Sequence, residues 1–366
     1  MPATVAHVVG ARPNFMKAAP VLRALGERGV EQRLIHTGQH YDRGLSGVFF
    51  DELDLPRPDI DLDVGSGSHA VQTAAVMVGL DAVFEAAAPA LVVVYGDVNS
   101  TVAAALVCAK RRIALAHVEA GLRSFDPSMP EEINRRVTDQ LSELLFVTSP
   151  EAIHNLRHEG LGPDGIEFVG NPMIDTLLAN LDRFDAQAAR RHYELAGPYA
   201  VATLHRPSNV DGPEAAGAMV AMLAGASAIL PIVLPLHPRG RASLEAAGLR
   251  PGPRLLIVEP LGYVAFMSLV RGAAVVVTDS GGIQEETTIL GVPCLTVRRN
   301  TERPITISHG TNRLVEPEAV VAAVRDIIAG PPARPSELPP LWDGHAGERV
   351  ATVVERWLAA RLAATA

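Results

Sequence analysis

Short apolar runs without polar alternation recur along the chain of 366 residues. Strands of this kind are buried on both faces, which is typical of parallel sheets. Polar, helix-like stretches of ten or more residues lie between the runs and connect them. The predicted strands are 5–9, 91–94, 113–116, 144–147, 200–203, 232–234, 255–258, 274–277 and 294–297, and the predicted helices are 15–28, 101–111, 131–143, 150–159, 215–228 and 263–271.

The alternation of strands and helices predicts an α/β fold with two Rossmann-like domains, each built on a parallel sheet. A hydrophobic content of 48% over this length is also sufficient for two cores. We expect an N-terminal domain at 1–170 and a C-terminal domain at 171–345. After a proline-rich stretch, residues 346–366 have an amphipathic helical pattern, and such a helix could pack back on the first domain.

Charge and hydropathy exclude two classes of partner. The formal net charge is -9, and the chain lacks a long basic run, so we expect no nucleic-acid partner. No segment approaches the roughly 20 apolar residues that a membrane span needs, so we expect no membrane partner and a cytoplasmic location. Cys108 and Cys294 lie in apolar surroundings and are expected to be reduced core residues.

Acidic residues follow the strands of the first half. Ligands bind beyond the carboxyl ends of strands in open parallel sheets, so these positions are candidate site residues. Asp97 follows strand 91–94, Glu119 follows strand 113–116, and Glu131 begins the next helix. Asp97 or Glu131 could simply cap a helix. The convergence of three carboxylates from separate loops nevertheless favours catalysis.

Two cations follow the first strand. Gly10 allows a tight turn, and Arg12 and Lys17 lie at the start of the next helix. Positive side chains beside the positive end of a helix dipole are mildly unfavourable unless an anion is near. This arrangement favours an anionic ligand, although two solvated surface cations are the alternative.

A second anion site is predicted in the other half. Ser280, Gly281 and Gly282 form a strand–turn–helix junction whose N–H groups and hydroxyl suit a diphosphate. Glu286 follows in the first turns of that helix, where a carboxylate can bind ribose hydroxyls or merely be a helix-start charge. His205 follows strand 200–203.

The sequence does not predict a metal or another cofactor. Residues 160–165 match the dinucleotide fingerprint by letter, but they follow a helix instead of a strand. Aspartates alternate at 59–63 as in a calcium loop, yet Val64 and Ala70 occupy the positions that need Gly and Glu.

Several motifs occur in an order that resembles the non-hydrolysing UDP-N-acetylglucosamine 2-epimerases. The most specific are HVEAGLR at 117–123 and DSGGIQEE at 279–286. The resemblance implies a GT-B-like fold with a ligand cleft between the domains, and a homodimer. It also implies a cofactor-free isomerase that eliminates UDP to give 2-acetamidoglucal and adds it back. The other matching segments are GARP at 10–13, Lys17, TGQH at 37–40, GD at 96–97, PEE at 130–132, HR at 205–206 and TERP at 301–304.

The resemblance also implies roles for individual residues, with UDP-N-acetylglucosamine, UDP-N-acetylmannosamine and UDP as ligands. Gln39 and His40 match part of a second UDP-sugar site that activates bacterial members. The implied catalytic residues are Asp97, Glu119, Glu131 and His205. The implied substrate or UDP contacts are Arg12, Lys17, His237, Phe266, Ser280, Gly281, Gly282, Glu286 and Arg303.

Three departures from the family pattern leave the sugar and the allosteric activation open. Asn14 stands where Glu is common, residues 207–209 read Pro-Ser-Asn, and Asp42 replaces the last Gln of Gln-His-x-Gln. The alternatives are an epimerase of a modified UDP-2-acetamido sugar, a hydrolysing variant, a GT-B glycosyltransferase and a nucleotide-sugar sensor. All the enzyme hypotheses expect the carboxylates of the first half and the turn at Ser280 to face a common cavity.

Overall fold

The structure is a computed structural model that describes residues 4–39, 50–236, 238–331 and 337–365. His40 and His237 therefore lie outside the described residues. The chain divides into two compact units, Met1–Ala179 with Pro340–Ala366, and Asn180–Pro339. The second unit begins later than the predicted boundary at 170 and ends earlier than the predicted boundary at 345.

The first unit contains a seven-stranded parallel sheet in the order β3-β2-β1-β4-β5-β6-β7. Its central strands are wholly buried because helices cover both faces of a parallel sheet. The strands are β1 Val5–Val9, β2 Gln32–His36, β3 Ile60–Asp61, β4 Leu91–Tyr95, β5 Ala114–Ala120, β6 Leu144–Val147 and β7 Ile166–Phe168. The helices are α1 Arg12–Glu27, α2 His69–Ala86, α3 Asn99–Arg111, α4 Pro130–Leu141, α5 Pro150–His158 and α6 Pro172–Ala179.

The second unit repeats this architecture with a six-stranded parallel sheet in the order β10-β9-β8-β11-β12-β13. The strands are β8 Ala200–Thr203, β9 Ile232–Pro235, β10 Leu255–Val258, β11 Val275–Thr278, β12 Cys294–Thr296 and β13 Asn312–Leu314. The helices are α7 Ala186–His192, α8 Pro207–Val210, α9 Pro213–Ser227, α10 Pro238–Ala246, α11 Tyr263–Arg271, α12 Gly281–Leu290, α13 Ile305–Ser308 and α14 Pro317–Ala329. Two α/β units, each built on a parallel sheet, confirm the predicted fold class.

The C-terminal helix α15, Ala346–Thr365, belongs to the first unit and packs against α1. The N–H of Gly347 donates to Asp175 at 2.7 Å, and the indole N–H of Trp342 donates to the carbonyl oxygen of Thr148 at 2.9 Å. A Cβ at Gly347 would lie 2.6 Å from the carbonyl oxygen of Pro20, so only glycine permits this approach of α15 to α1.

The apolar runs identify the central strands, but the structure corrects the extent of one strand that carries site residues. β5 continues to Ala120, so Glu119 lies within the strand and not after it. The apolar run that predicted this strand ends before the polar His117, and the pairing with β6 shifts register between Val118 and Ala120. Among the described residues, no helix is both long and apolar enough to span a membrane.

Candidate active site

Asn14 fixes the loop that follows β1. Its side-chain oxygen accepts the N–H groups of Gly10 at 3.0 Å and Ala11 at 3.1 Å, and its amide donates to the carbonyl oxygen of Tyr95 at 2.7 Å. A carboxylate at this position could accept the first two bonds but could not donate the third. Asn14 therefore ties the loop that precedes the half-buried Arg12, the first residue of α1, to the end of β4.

Lys17 and Glu119 form a buried ion pair next to this loop. A Cβ at Gly96 would lie 2.9 Å from Nζ of Lys17 and 3.0 Å from Oε2 of Glu119, so the pair requires glycine there. The backbone φ of Glu119 is 77°, in the left-handed region that residues other than glycine rarely occupy. Such strain is concentrated at functional sites, so it supports a functional role for Glu119.

Asp97 and Glu131 belong to the same part of the first unit. The guanidinium of Arg135 pairs with Asp97 at 2.5 Å, and the side-chain amide of Asn134 donates to the carbonyl oxygen of Asp97 at 2.8 Å. Both partners lie on α4, whose first turn carries the half-buried Glu131. Asp97 also directly follows Gly96, the residue next to the Lys17–Glu119 pair. The structure therefore places the three sequence-predicted carboxylates on adjoining elements.

Glu132, the neighbour of Glu131, has a structural role. Its carboxylate accepts hydrogen bonds from the N–H of Ser124 at 2.9 Å and the N–H of Phe125 at 3.2 Å, and it pairs with Arg135 at 2.6 Å. Burial raises the pKa of Glu132, but Arg135 and the bonds from Ser124 outweigh burial and leave the pKa below its ordinary value. Of the two adjacent glutamates, only Glu131 is half-exposed.

A buried network lies beneath these residues. His117 donates from Nε2 to the carbonyl oxygen of Gly96 at 2.8 Å, and its Nδ1 lies 2.6 Å from Asp139. Asp139 also pairs with Arg123 at 2.7 Å. Burial raises the pKa of Asp139, but the charges and hydrogen bonds of His117 and Arg123 bring it below its ordinary value. The motif at 117–123 contains His117 and Arg123, yet the sequence did not reveal that they support the Gly96 turn.

Gln39 caps a helix of the first unit. Its side-chain oxygen accepts the N–H of Ser100 at 3.1 Å and the hydroxyl of Ser100 at 2.6 Å, and the residue is buried. These bonds occupy the N-terminus of α3. The other residue of the predicted allosteric remnant, His40, lies outside the described residues.

In the second unit, the start of α12 offers backbone N–H groups for an anion. Ser280 is the N-cap residue, and its side chain makes no capping hydrogen bond. Gly281 and Gly282 follow in the first turn, where N–H groups have no intrahelical partner. A Cβ at Gly281 would lie 2.4 Å from Nη1 of Arg303, so glycine is needed for the guanidinium to approach the helix start.

Buried carboxylates hold Arg303 in this position. Nε of Arg303 lies 3.0 Å from Glu285, and Nη1 pairs with Glu302. Glu302 also pairs with Arg298 at 2.6 Å. Burial raises the pKa of Glu302, but Arg303 and Arg298 more than offset this and hold the pKa well below its ordinary value. Sequence reasoning identified Arg303 and missed both of its carboxylate partners.

His205 is oriented by Asp279, a residue that the sequence identified only as part of a motif. Nδ1 of His205 lies 2.8 Å from the carboxylate, which also accepts the N–H groups of His205 and Arg206, each at 3.0 Å. Burial raises the pKa of Asp279, but the His205 ring and these N–H bonds lower it below the ordinary value. The His205 side chain is 56% exposed, so its ring can meet a ligand.

Glu286 is buried in α12 and has an unusual pKa. Its pKa is raised to about 8, chiefly by burial; a hydrogen bond from Tyr263 opposes the rise, and the charge of Glu285 adds to it. Tyr263 lies on α11, and the half-buried Phe266 lies one turn later on the same helix. His237, the remaining predicted contact, lies outside the described residues.

Each unit thus gathers its share of the predicted residues at the carboxyl ends of its strands, where ligands bind in parallel α/β sheets. The first unit holds Arg12, Lys17, Asp97, Glu119 and Glu131, and the second holds His205, Phe266, Ser280, Gly281, Gly282, Glu286 and Arg303.

Comparisons with known proteins identify the family of the chain. The sequence model of the family described as UDP-N-acetylglucosamine 2-epimerase matches residues 23–355. A UDP-N-acetylglucosamine 2-epimerase of Methanocaldococcus jannaschii is 38% identical, with 95% of this chain and 97% of the relative covered. A UDP-2,3-diacetamido-2,3-dideoxy-D-glucuronate 2-epimerase of Pseudomonas aeruginosa is 40% identical, with 88% and 89% covered. The crystal structure of M. jannaschii UDP-GlcNAc 2-epimerase in complex with UDP-GlcNAc and UDP superposes with a TM-score of 0.90 at 37% identity, covering 96% of this chain and 99% of that one.

Proposed function

Because the chain belongs to the UDP-N-acetylglucosamine 2-epimerase family, we propose that it interconverts UDP-N-acetylglucosamine and UDP-N-acetylmannosamine. The buried Lys17–Glu119 pair carries the proposal, because it places a carboxylate at the strand ends of the first unit, next to the Gly96 turn that leads to Asp97. The open start of α12 supports it from the second unit, as a site for the diphosphate.

The chemistry explains why several carboxylates are needed. Carbon 2 of the sugar has no adjacent carbonyl while UDP is attached to carbon 1, so direct removal of its proton is too slow. We propose an elimination in which a base takes the carbon 2 proton, the carbon 1–oxygen bond breaks, and UDP leaves with the electron pair. The resulting 2-acetamidoglucal accepts UDP again at carbon 1 and a proton at carbon 2 on the opposite face. The two steps balance without an oxidant or reductant.

Glu119 is our candidate for the base. Its carboxylate lies next to the Gly96 turn and is held there by Lys17, and a carboxylate so placed can accept a proton. Asp97 and Glu131 are the candidates for proton transfer on the other face of the sugar. A well-placed acid or base contributes about 10²–10⁴ to the rate, so each of the three should matter.

The second unit is proposed to bind the nucleotide. Ser280, Gly281 and Gly282 would stabilise the departing diphosphate together with Arg303 and His205, because N–H groups and cations favour developing negative charge. We assign Glu286 to the ribose hydroxyls and Phe266 to the uracil. Arg12 and His237 complete the proposed substrate contacts.

Proton NMR of the reaction in heavy water tests this function. UDP-N-acetylglucosamine should give UDP-N-acetylmannosamine, with deuterium at carbon 2 of both sugars. Asp97→Asn, Glu119→Gln and Glu131→Gln should each lower kcat by about 10² or more. Glu318→Gln, on the exposed side of α14, is the matched control and should have wild-type activity. Turnover without deuterium at carbon 2 would exclude the mechanism.

A second substrate is favoured by one comparison. The P. aeruginosa relative bears the name of an epimerase of a diacetamido uronic acid, and its identity to this chain is as high as that of the M. jannaschii protein. The two substrates are separated by comparing kcat/KM for both UDP-sugars. A ratio above about tenfold in favour of the diacetamido uronic acid would replace our primary assignment.

A homodimer is also part of the proposal. α2 has apolar residues on every side, with Val76 and Leu80 buried in the core and Val71 and Val78 exposed at 64% and 72%. A helix that is apolar all round is usually buried. The exposed Ile133 of α4 lies with α2 around a cavity of about 390 Å³. We propose that a second copy of the chain covers this face.

We further propose that the enzyme acts in the cytoplasm. Cys108 and Cys294 are both buried free thiols, which fits a reducing compartment.

A further inference from the structure

Phe125 is the most exposed large hydrophobic residue in the described part of the chain, at 74%. Its backbone φ is 57°, in the left-handed region. This conformation costs a residue with a side chain roughly 1–2 kcal/mol, and glycine or asparagine would avoid the cost. Phe125 therefore combines unfavourable backbone strain with unfavourable exposure.

The loop around Phe125 is nevertheless held firmly. Glu132 accepts hydrogen bonds from the N–H groups of Ser124 and Phe125, at 2.9 and 3.2 Å. Asp126 accepts the N–H and the hydroxyl of Ser128, at 3.0 and 2.6 Å. These bonds hold the backbone of the loop at Phe125. A strained residue that the surroundings hold in place is typical of a ligand contact.

The same bonds connect Phe125 to the proposed catalytic carboxylates. Glu132 pairs with Arg135 at 2.6 Å, and Arg135 pairs with Asp97 at 2.5 Å. Glu131 is the residue before Glu132 on α4. The backbone of Phe125 is therefore tied to α4, which carries Glu131 and whose Arg135 pairs with Asp97.

We propose that Phe125 contacts the sugar of the bound nucleotide sugar and contributes to selection of a 2-acetamido sugar. This inference rests on the proposed function. The apolar surface of the substrate consists of the uracil, the C–H face of the pyranose and the methyl of the acetamido group. The uracil is assigned to Phe266, in the second unit. The pyranose face and the acetamido methyl thus remain for an aromatic ring beside the carboxylates.

Calorimetric titration with UDP-N-acetylglucosamine and with UDP tests the contact without requiring turnover. Phe125→Ala should weaken the binding of UDP-N-acetylglucosamine about tenfold and leave that of UDP within about twofold, because only the former carries the sugar. Phe125→Tyr keeps the ring and should remain within about threefold of wild type for both. Ile328→Ala removes another exposed apolar side chain, on α14, and should change neither affinity.

Equal losses for UDP and UDP-N-acetylglucosamine, or no loss for either, would overturn the inference. A Phe125→Ala change that altered only the oligomeric state would also overturn it. Failure of the wild-type protein to epimerise the sugar would overturn the proposed function instead. The selective loss of sugar-nucleotide affinity would still be measurable in that case, so the two failures are distinguishable.

Discussion

The ammonium group of Lys17 pairs with the carboxylate of Glu119, and both side chains are almost fully buried. The two residues are 102 positions apart in the sequence, so the pair joins α1 to β5. Removing two charges from water is costly, and an apolar pair of similar size is often at least as stable. A buried pair at this position is therefore explained better by chemistry than by stability.

Lys17→Met should lower both stability and activity. The substitution leaves the carboxylate of Glu119 buried without its partner, which typically costs about 3–5 kcal/mol of the free energy of unfolding. Urea denaturation measures this change, and Lys17→Met/Glu119→Gln should recover part of it because both charges are then gone. Lys110→Met, at an exposed position near the end of α3, should change stability by less than about 0.5 kcal/mol. An equal loss in the single and double variants would contradict the pairing.

Glu286 should make stability depend on pH. Its pKa is about 8 in the folded protein against 4.5 for an ordinary glutamate, so folding favours the protonated form. The contribution of Glu286 to stability is therefore complete below about pH 4.5 and is lost as pH rises to about 8. Glu286→Gln cannot titrate, so its free energy of unfolding relative to wild type should rise by up to about 1.4 kcal/mol per pH unit in this window. A difference that does not vary with pH would rule out the raised pKa.

The same carboxyl should make nucleotide-sugar binding tighter at higher pH. Two ribose hydroxyls need an ionised carboxylate as acceptor, and ionisation of Glu286 is completed above its pKa of about 8. The affinity for UDP-N-acetylglucosamine should rise up to about tenfold per pH unit from about pH 6 to pH 8 and then level off. Calorimetry on Glu286→Gln should give a weaker affinity with a flatter pH profile. Parallel profiles for the two proteins would remove Glu286 from the ribose site.

Charge placed on the exposed face of α2 should dissociate the proposed dimer. Val71→Glu/Val78→Glu puts two carboxylates on an apolar surface, where their desolvation opposes association. Light scattering coupled to gel filtration should show a dimer for the wild type and a monomer for the variant. Ile328→Glu adds a charge at an exposed apolar position on α14 and should leave the dimer intact. A wild-type protein that is monomeric at micromolar concentration would contradict the assignment.

Gly347→Ala should destabilise the first unit. Its Cβ would lie 2.6 Å from the carbonyl oxygen of Pro20, so α15 must move away from α1. Overpacking of this kind costs about 1–3 kcal/mol, measured as a shift of the urea midpoint. Gly162→Ala is the matched control, because no atom lies within 4 Å of the added Cβ. A Gly347→Ala variant as stable as the wild type would show that α15 does not depend on this contact.

Sequence patterns predicted the central strands well, because a strand buried on both faces must be apolar throughout. They missed β2, where Gln32 and Arg33 are only half-buried, and the strands of two or three residues β3, β7 and β13. α2 was also missed, since a helix that is apolar on every side has no amphipathic period.

The site was predicted less completely than the fold. Positions after strands identified Asp97 and nearly identified Glu119, whereas their partners Arg135 and Lys17 lie on helices that only the folded chain brings to them. The role of Asp279 was missed for the same reason, because its partner His205 lies 74 positions away in the sequence. Local patterns reveal what a residue can do, while its partner is fixed by tertiary structure.

The first unit is interrupted in the sequence by the whole of the second, and α15 is needed to complete it. During synthesis on the ribosome, residues 180–339 emerge before the helix that packs on α1, although domains generally fold as soon as their residues are available. The second unit can thus fold before the last helix of the first unit has been synthesised. The carboxylates held near α1 would therefore reach their final arrangement only after α15 has been synthesised and has packed on α1.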